Sequence, residues 1–265
     1  MRTKVGRLLD RRLEADPVRA TLLGTIRLTL DTARLDCSCA ATRDGSAVAV
    51  RSDRRYPVVL DGVWLPTDLD ELATAIASLT EVAGVHGAVS AAEAVAVRLP
   101  GRAMNSRAMR LHRLDILTAP ADVPGRSRWA GISDRLLLRD WYLAFDQEAD
   151  LFGGDLDDAV DAALDSHGCW LWVNASGVVV SMATRRPIIA GCARVGPCRW
   201  RGKGYGSAVT AAATRDVLDD GGLPVLSPIW RTKPPTQSTT GSAITLWKTA
   251  SNSRSVPSKP ICLGA

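Results

Sequence analysis

A strand pattern, then three alternate glycines, then a helical pattern restricts this chain more than any other feature. The segment reads Arg201-Gly202-Lys203-Gly204-Tyr205-Gly206-Ser207-Ala208-Val209. Glycines at every second position let backbone N–H groups converge without side-chain obstruction. The helix that follows, expected over Ser207–Asp219, adds the free N–H groups and positive dipole end of its first turn. Together they form a cradle for a phosphate or pyrophosphate, and Arg201 and Lys203 add positive charge. Two other phosphate motifs do not fit. A P-loop needs four residues between its first glycine and Gly-Lys-Ser/Thr, but five separate Gly196 from Gly202, and Gly204 follows the lysine. A dinucleotide fingerprint needs Gly-x-Gly-x-x-Gly early in a β-α-β unit, and this is Gly-x-Gly-x-Gly late in the chain. A glycine-rich helix start without a ligand is the competing reading.

The rest of the chain supplies two similar runs of elements. Leu9, Leu13, Val18, Leu22, Leu23, Ile26 and Leu30 recur at helical spacing, and Asp16-Pro17 marks a second helix start. Strands are expected within residues 36–60, with a turn at Ala41–Ser46. Helices are expected over 69–82, after Pro66-Thr67-Asp68, and from Ser90, with Glu93 completing a capping box. Residues 107–117 read as a strand and 118–125 as a linker. The order then repeats: helices over 134–149 and 156–165, a strand at Cys169–Val173, a turn at Asn174–Gly177, a strand at 178–183 and another over 187–195. Two helices, a hairpin across a glycine turn and a further strand occur in both halves, so tandem related folds are expected.

Composition bounds the function classes. The chain has 265 residues, 46% hydrophobic and 23% charged, with no run of eighteen apolar residues. A soluble globular protein without a membrane span or secretory signal is expected, with the cytoplasm as the default compartment. The net charge of +5 has a local origin. No acidic residue follows Asp220, whereas Arg231, Lys233, Lys248, Arg254 and Lys259 do, and those five equal the excess. The body is neutral, so nucleic-acid binding is not expected. None of the six cysteines forms a Cys-x-x-Cys pair, and His86, His112 and His167 are scattered, so no metal site is expected. Cys37 and Cys39 alternate along a strand and read as small core residues in a reducing compartment.

The glycine segment resembles the acetyl-CoA pyrophosphate loop of the GNAT superfamily of acyl-CoA N-acyltransferases, Arg/Gln-x-x-Gly-x-Gly/Ala, met here by Arg201, Gly204 and Gly206. The preceding hairpin, strand and loop-helix order is also similar, over about residues 130–226. The first half resembles the degenerate N-terminal lobe of two-lobed actinobacterial members, and the excess of arginine over lysine fits a GC-rich genome. The resemblance implies an α/β (α+β) fold with a mixed, mostly antiparallel central sheet flanked by helices. It implies a degenerate lobe over 1–120, a linker at 121–128, an acetyl-CoA-binding domain over 129–226 and an atypical tail, 227–265, with little order. The cofactor would be acetyl-CoA, with no metal. The backbone of Ala193, Arg194, Val195 and Gly196 would pair with pantetheine, and Arg201, Gly202, Lys203, Gly204, Tyr205, Gly206 and Ser207 would hold pyrophosphate. An amine would attack the thioester, helped by a base or water, while a group protonates the leaving thiolate. The acceptor, the oligomeric state and the catalytic groups are not legible. Glu148, Asp150 and Asp155 are candidate bases by position only.

Two departures bear on activity. The family pattern Val-x-x-Val-Tyr-Thr-Pro-Pro is shortened, since Val195-Gly196-Pro197 runs directly into Cys198-Arg199-Trp200-Arg201. After Pro224-Val225-Leu226 the family has a strand, an Asn-bearing helix with a tyrosine and a Gly-Tyr strand, whereas this tail is rich in serine, threonine and proline. Read one base earlier, with favourable wobble bases, the codons of the tail give a segment closely resembling the missing one. A frameshift near codon 226 is therefore expected, with a tail of independent origin as the alternative. The tail should lack the final helix, because Pro228, Pro234 and Pro235 interrupt it and residues 231–242 contain no Leu, Ile, Val or Phe. Residues 241–247 could still add one strand, and the central sheet should keep an exposed edge. The expected function is acetyl transfer from acetyl-CoA to an amine, impaired in this chain. The alternative is an inactive GNAT-like pseudoenzyme or binding module.

Overall fold

A computed structural model gives the fold. It describes residues 2–32, 37–53, 56–79, 82–99, 104–114, 116–149, 155–198, 203–226 and 243–249. The chain divides into two compact units, residues 1–111 with 241–263, and residues 112–240 with the last two residues. Each has one mixed, mostly antiparallel six-stranded sheet flanked by helices.

The first unit opens with helices α1 (Arg2–Ala15) and α2 (Thr21–Thr32). The expected apolar stripe is their buried face: Leu9, Leu13, Leu23, Ile26 and Leu30 are all inside. Asp16 does not start α2. Its Oδ1 accepts the Arg19 N–H at 3.0 Å, capping an intervening turn, and the helix begins at Thr21. Strands β1 (Ser38–Ala41), β2 (Ala47–Arg51) and β3 (Val58–Gly62) form an antiparallel meander. β2 is buried at every residue, which is why Ala47–Val50 is apolar without alternation. β1 lies at the sheet edge, so Cys37 is half-buried and Cys39 exposed, and neither is a core residue.

Helix α3 (Pro66–Ser78) then leads to strand β4 (Val85–Ala88), parallel to β3. Leu69, Leu72, Ala73 and Ile76 of α3 pack on Val58, Leu60 and Val85. Helix α4 (Val89–Val97) follows directly, with Ala88 as its cap, so Ser90 lies inside the first turn and not before it. Strand β5 (Met104–Arg110) closes the first run of elements. A strand from the tail, designated β12 (Ala243–Thr249), sits between β4 and β5 and is antiparallel to both. It covers most of the stretch where the sequence allows one tail strand. Residues 227–242 and 250–265, including the proline-interrupted segment, lie outside the described residues.

The second unit begins with the two-residue strand β6 (His112–Arg113) and strand β7 (Arg126–Trp129). A 3-10 turn at Ile132–Asp134 leads into α5 (Arg135–Ala149). Asp134 fixes that junction. Its carboxylate accepts two hydrogen bonds from Arg128, at 2.7 and 2.8 Å, and one from the Gly131 N–H at 2.9 Å. The Arg128 guanidinium holds the carboxyl below the usual aspartate range. Helix α6 (Leu156–Asp165) and strand β8 (Cys169–Val173) match their expected spans. Asn174 makes the next turn by accepting from the N–H groups of Ser176 and Val178, with Gly177 at positive φ.

Strands β9 (Val179–Arg185) and β10 (Cys192–Cys198), helix α7 (Tyr205–Asp219) and strand β11 (Leu223–Leu226) complete the unit. β10 starts five residues later than Pro187, because Ile189 and Cys192 close a tight turn with Ala190 and Gly191 at positive φ. The sheet order is β6-β11-β10-β9-β8-β7, with β10 and β11 parallel. Among the described residues the outer edge of β11 is not bare: Val225 and Leu226 pair with Arg113 and His112.

Candidate cofactor-binding site

The glycine segment lies where β10 passes into α7. Gly204 caps the helix with φ 77° and ψ −7°, a left-handed conformation that disfavours any residue with a Cβ. The first intrahelical bond runs from the Ala208 N–H to the Gly204 carbonyl, at 2.9 Å. The N–H groups of Tyr205, Gly206 and Ser207 therefore precede the first residue that can bond within the helix. Lys203, Gly204 and Ser207 are exposed and Tyr205 and Gly206 half-buried. No acidic residue occupies the first turn of α7. The helix end is thus open, positively polarised and reachable by an anion. Arg201 and Gly202 lie outside the described residues.

Helix α7 is held by small apolar contacts and one charged anchor. Val209, Ala213 and Val217 pack on Ala183, Ala193 and Val195 of β9 and β10. Arg185 of β9 bonds both Asp216 and Asp220 on the last turns of α7, at 2.5 and 2.7 Å.

Ala193, Arg194 and Val195 all pair with β11; on the other side Val195 pairs with Arg185 of β9, and the Arg194 carbonyl accepts from the Arg186 N–H. Ala193 and Val195 turn their side chains toward α7. Among the described residues, Gly196, Pro197 and Cys198 pair with β9 alone. Strand alternation puts Arg194 on the opposite face from α7. It is only 6% exposed. Burial, and then the neighbouring Arg186, push its pKa down to about 10, so it stays charged at neutral pH.

A second arginine sits beside it. The Arg186 N–H donates to the Arg194 carbonyl at 2.8 Å, which carries the β9–β10 pairing one residue past the end of β9 and sets the two residues opposite each other. On the other flank Arg194 pairs with Val225, and Val225 with Arg113. One register row across the sheet therefore reads Arg186, Arg194, Val225, Arg113. The sequence does not show this row, because its members are far from Arg113 along the chain and only strand order joins them. The Nε of Arg186 is buried without a hydrogen-bond partner.

The candidate bases fare differently. Asp155 caps α6, accepting from the N–H groups of Asp157 and Asp158, which is a structural role. The Glu148 side chain and the whole of Asp150 lie outside what the structure describes. Among the described residues no group of three His, Cys, Asp or Glu side chains could hold a metal ion, and no helix is long and apolar enough to cross a membrane.

Solved structures give the comparison that decides the fold. A GCN5-related N-acetyltransferase from Sphaerobacter thermophilus aligns over 92% of this chain and 91% of its own, with a TM-score of 0.54 and 14% identity. One from Kribbella flavida aligns over 77% of this chain and 86% of its own, with a TM-score of 0.53 and 17% identity. This chain has the GNAT fold. No family profile and no curated protein matches it by sequence. The mixed, mostly antiparallel sheets flanked by helices that the GNAT resemblance implies are those observed.

Proposed function

We propose that the second unit binds acetyl-CoA and descends from an N-acyltransferase that acetylates an amine. The observation that carries this reading is the β10-to-α7 junction within a GNAT fold: a left-handed glycine, a lysine and an acid-free helix N-terminus at one strand end. In this reading the N–H groups of Tyr205, Gly206 and Ser207, with Lys203, Arg201 and the backbone of Gly202, hold the pyrophosphate. Ala193, Arg194 and Val195 lead the chain to the pantetheine edge, which begins at Gly196. Pro197 offers no N–H there, so pantetheine pairing has one donor fewer. Acetyl-CoA supplies the thioester when bound. The first unit is the degenerate lobe.

A second reading, acetyl-CoA binding without turnover, is favoured by the tail. The family's tyrosine falls at the slot ending in Thr239, so no residue of this chain is designated to protonate the leaving thiolate. Sequencing the gene around codon 226 and expressing the restored frame tests it. Activity and solubility should both rise, and a restored protein no better than this one would remove the frameshift.

Calorimetry tests the main reading. Acetyl-CoA should bind the full chain, and Gly204→Asp should weaken it by roughly 100-fold or more, by blocking the N–H groups and adding a negative charge. Equal affinity for both proteins, with both folded by circular dichroism, would end the cofactor assignment.

A further inference from the structure

Beyond the proposed cofactor loop, one feature of the second unit points to a ligand: the arginine row on the face of the sheet turned away from α7. We propose that Arg186, with Arg194 and Arg113, forms an oxyanion-binding subsite for the acceptor, so that the amine substrate or its acetylated product carries a carboxylate or a phosphate. The substrate class rests on the acyltransferase reading; the anion site does not.

Three observations carry it. First, topology brings the charges together. β9, β10, β11 and β6 are consecutive in the sheet, and one row holds Arg186, the residue directly after β9, with Arg194, Val225 and Arg113. The intervening Val225 is fully buried. Second, the like charges are close and shielded from water. Arg186 opposes the charged form of Arg194, and burial does so more strongly. Holding two guanidiniums side by side in a half-dry site costs free energy, and an oxyanion between them recovers it. Third, Arg186 has an unused donor: its Nε is buried and lacks a hydrogen-bond partner, although the group has five N–H donors arranged to match a planar oxyanion. Its neighbour Arg185 shows the contrast. On the other face its Nη1 is paired with both Asp216 and Asp220. No such carboxylate pairs with Arg186 among the described residues.

Position gives the subsite its role. Arg194 is one residue before Val195, the last residue of β10 paired with β11, and two before Gly196. In the proposed reading the thioester lies at that end of β10. An anion held on this face therefore sits on the acceptor side and not on the pyrophosphate loop, which belongs to α7 and the opposite face. Arginine forks recognise carboxylate and phosphate alike, so the shared chemistry is the oxyanion.

Product binding tests this without requiring turnover. N-acetylglycine and N-acetylglycinamide form one matched pair, and N-acetyl-O-phosphoethanolamine and N-acetylethanolamine a second. Each is titrated into the full chain by calorimetry. At least one anion should bind ten-fold or more tighter than its neutral partner, and which pair shows this identifies carboxylate or phosphate. Arg186→Gln should abolish the preference and Arg186→Lys restore part of it, with unchanged circular dichroism for both. No preference in either pair, or one that survives in Arg186→Gln, overturns the proposal. Acetyl-CoA is titrated in parallel. Arg186→Gln should leave its affinity within two-fold, and an equal loss there would move the row into the cofactor site and also overturn it. If acetyl-CoA fails to bind while the anion preference holds, the anion site stands and the acyltransferase reading falls.

Discussion

The two units each contain a strand, a helix and a second strand parallel to the first: β3-α3-β4 in one and β10-α7-β11 in the other. Their helix starts differ in what they offer an anion. At α3, Leu65 is the cap in extended conformation, Pro66 fills the first helical position, and Asp68 accepts the Leu65 N–H at 3.2 Å. A carboxylate already occupies the polarised end, and proline removes a donor. At α7 the cap is a left-handed glycine, the first turn has no acid, and Lys203 stands beside it. The same topology thus carries either a self-capped helix or a helix whose polarised end is left open, and a few residues at the helix start decide which. Anchoring differs too. α3 is held by Leu69, Leu72 and Ile76 in the core, whereas α7 presents mostly alanine and valine and depends also on Arg185.

Substitutions at matched positions can break this contrast. The largest stability effect is expected from Gly62→Ala, at the end of β3. Gly62 has φ 95°, and a Cβ there would lie 2.2 Å from the Ser46 carbonyl oxygen. Backbone strain and overpacking together should cost roughly 3 kcal/mol in urea denaturation. A loss under about 1 kcal/mol would show that this strand end is not packing-limited. Arg185→Ala should come next, at about 2 kcal/mol, because it leaves two aspartates of α7 without their shared partner. An unchanged midpoint would mean that α7 needs only its apolar face.

Gly204→Ala should cost less stability, about 1 kcal/mol, since the main penalty is the left-handed backbone and the nearest atom to a new Cβ is a side-chain methyl, Val123 Cγ2 at 3.1 Å, which needs only a small shift. Its acetyl-CoA affinity should nevertheless fall, measured by calorimetry. A stability loss matching that of Gly62→Ala would erase the distinction between the two glycines. The smallest effect is expected from Asp68→Ala, about 0.5–1 kcal/mol from the lost cap bond. It should leave acetyl-CoA affinity unchanged, and a change would place the cofactor at the wrong unit.

Much of the fold was legible from local signals. Leu9, Leu13, Leu23 and Ile26 marked a helical face by their spacing, and α6 and β8 fell within their expected bounds because each is bracketed by strong caps or turns. Boundaries failed where a turn competed with an element. Asp16-Pro17 looked like a helix start but capped a separate turn, and Pro187 looked like a strand start but led into the tight turn at Ala190-Gly191. Of the site, the glycine cap of α7 was legible because αL geometry and a free helix end need particular residues in a particular order. Asp155 was a candidate base by position only, and the structure shows it capping α6, because a helix cap and a catalytic carboxylate have the same one-letter signature.

Sequence alone therefore determined the periodic elements, the neutral body and the glycine-capped start of α7, all of which depend on neighbours within one or two turns of chain. Tertiary structure alone decided that Ala243–Thr249 pairs between β4 and β5, that Cys39 lies on an exposed edge, and that Arg186, Arg194 and Arg113 share one row. Those facts depend on strand order and register. Hydrogen bonds between distant segments set them, and no local pattern of side chains encodes which strands will be neighbours.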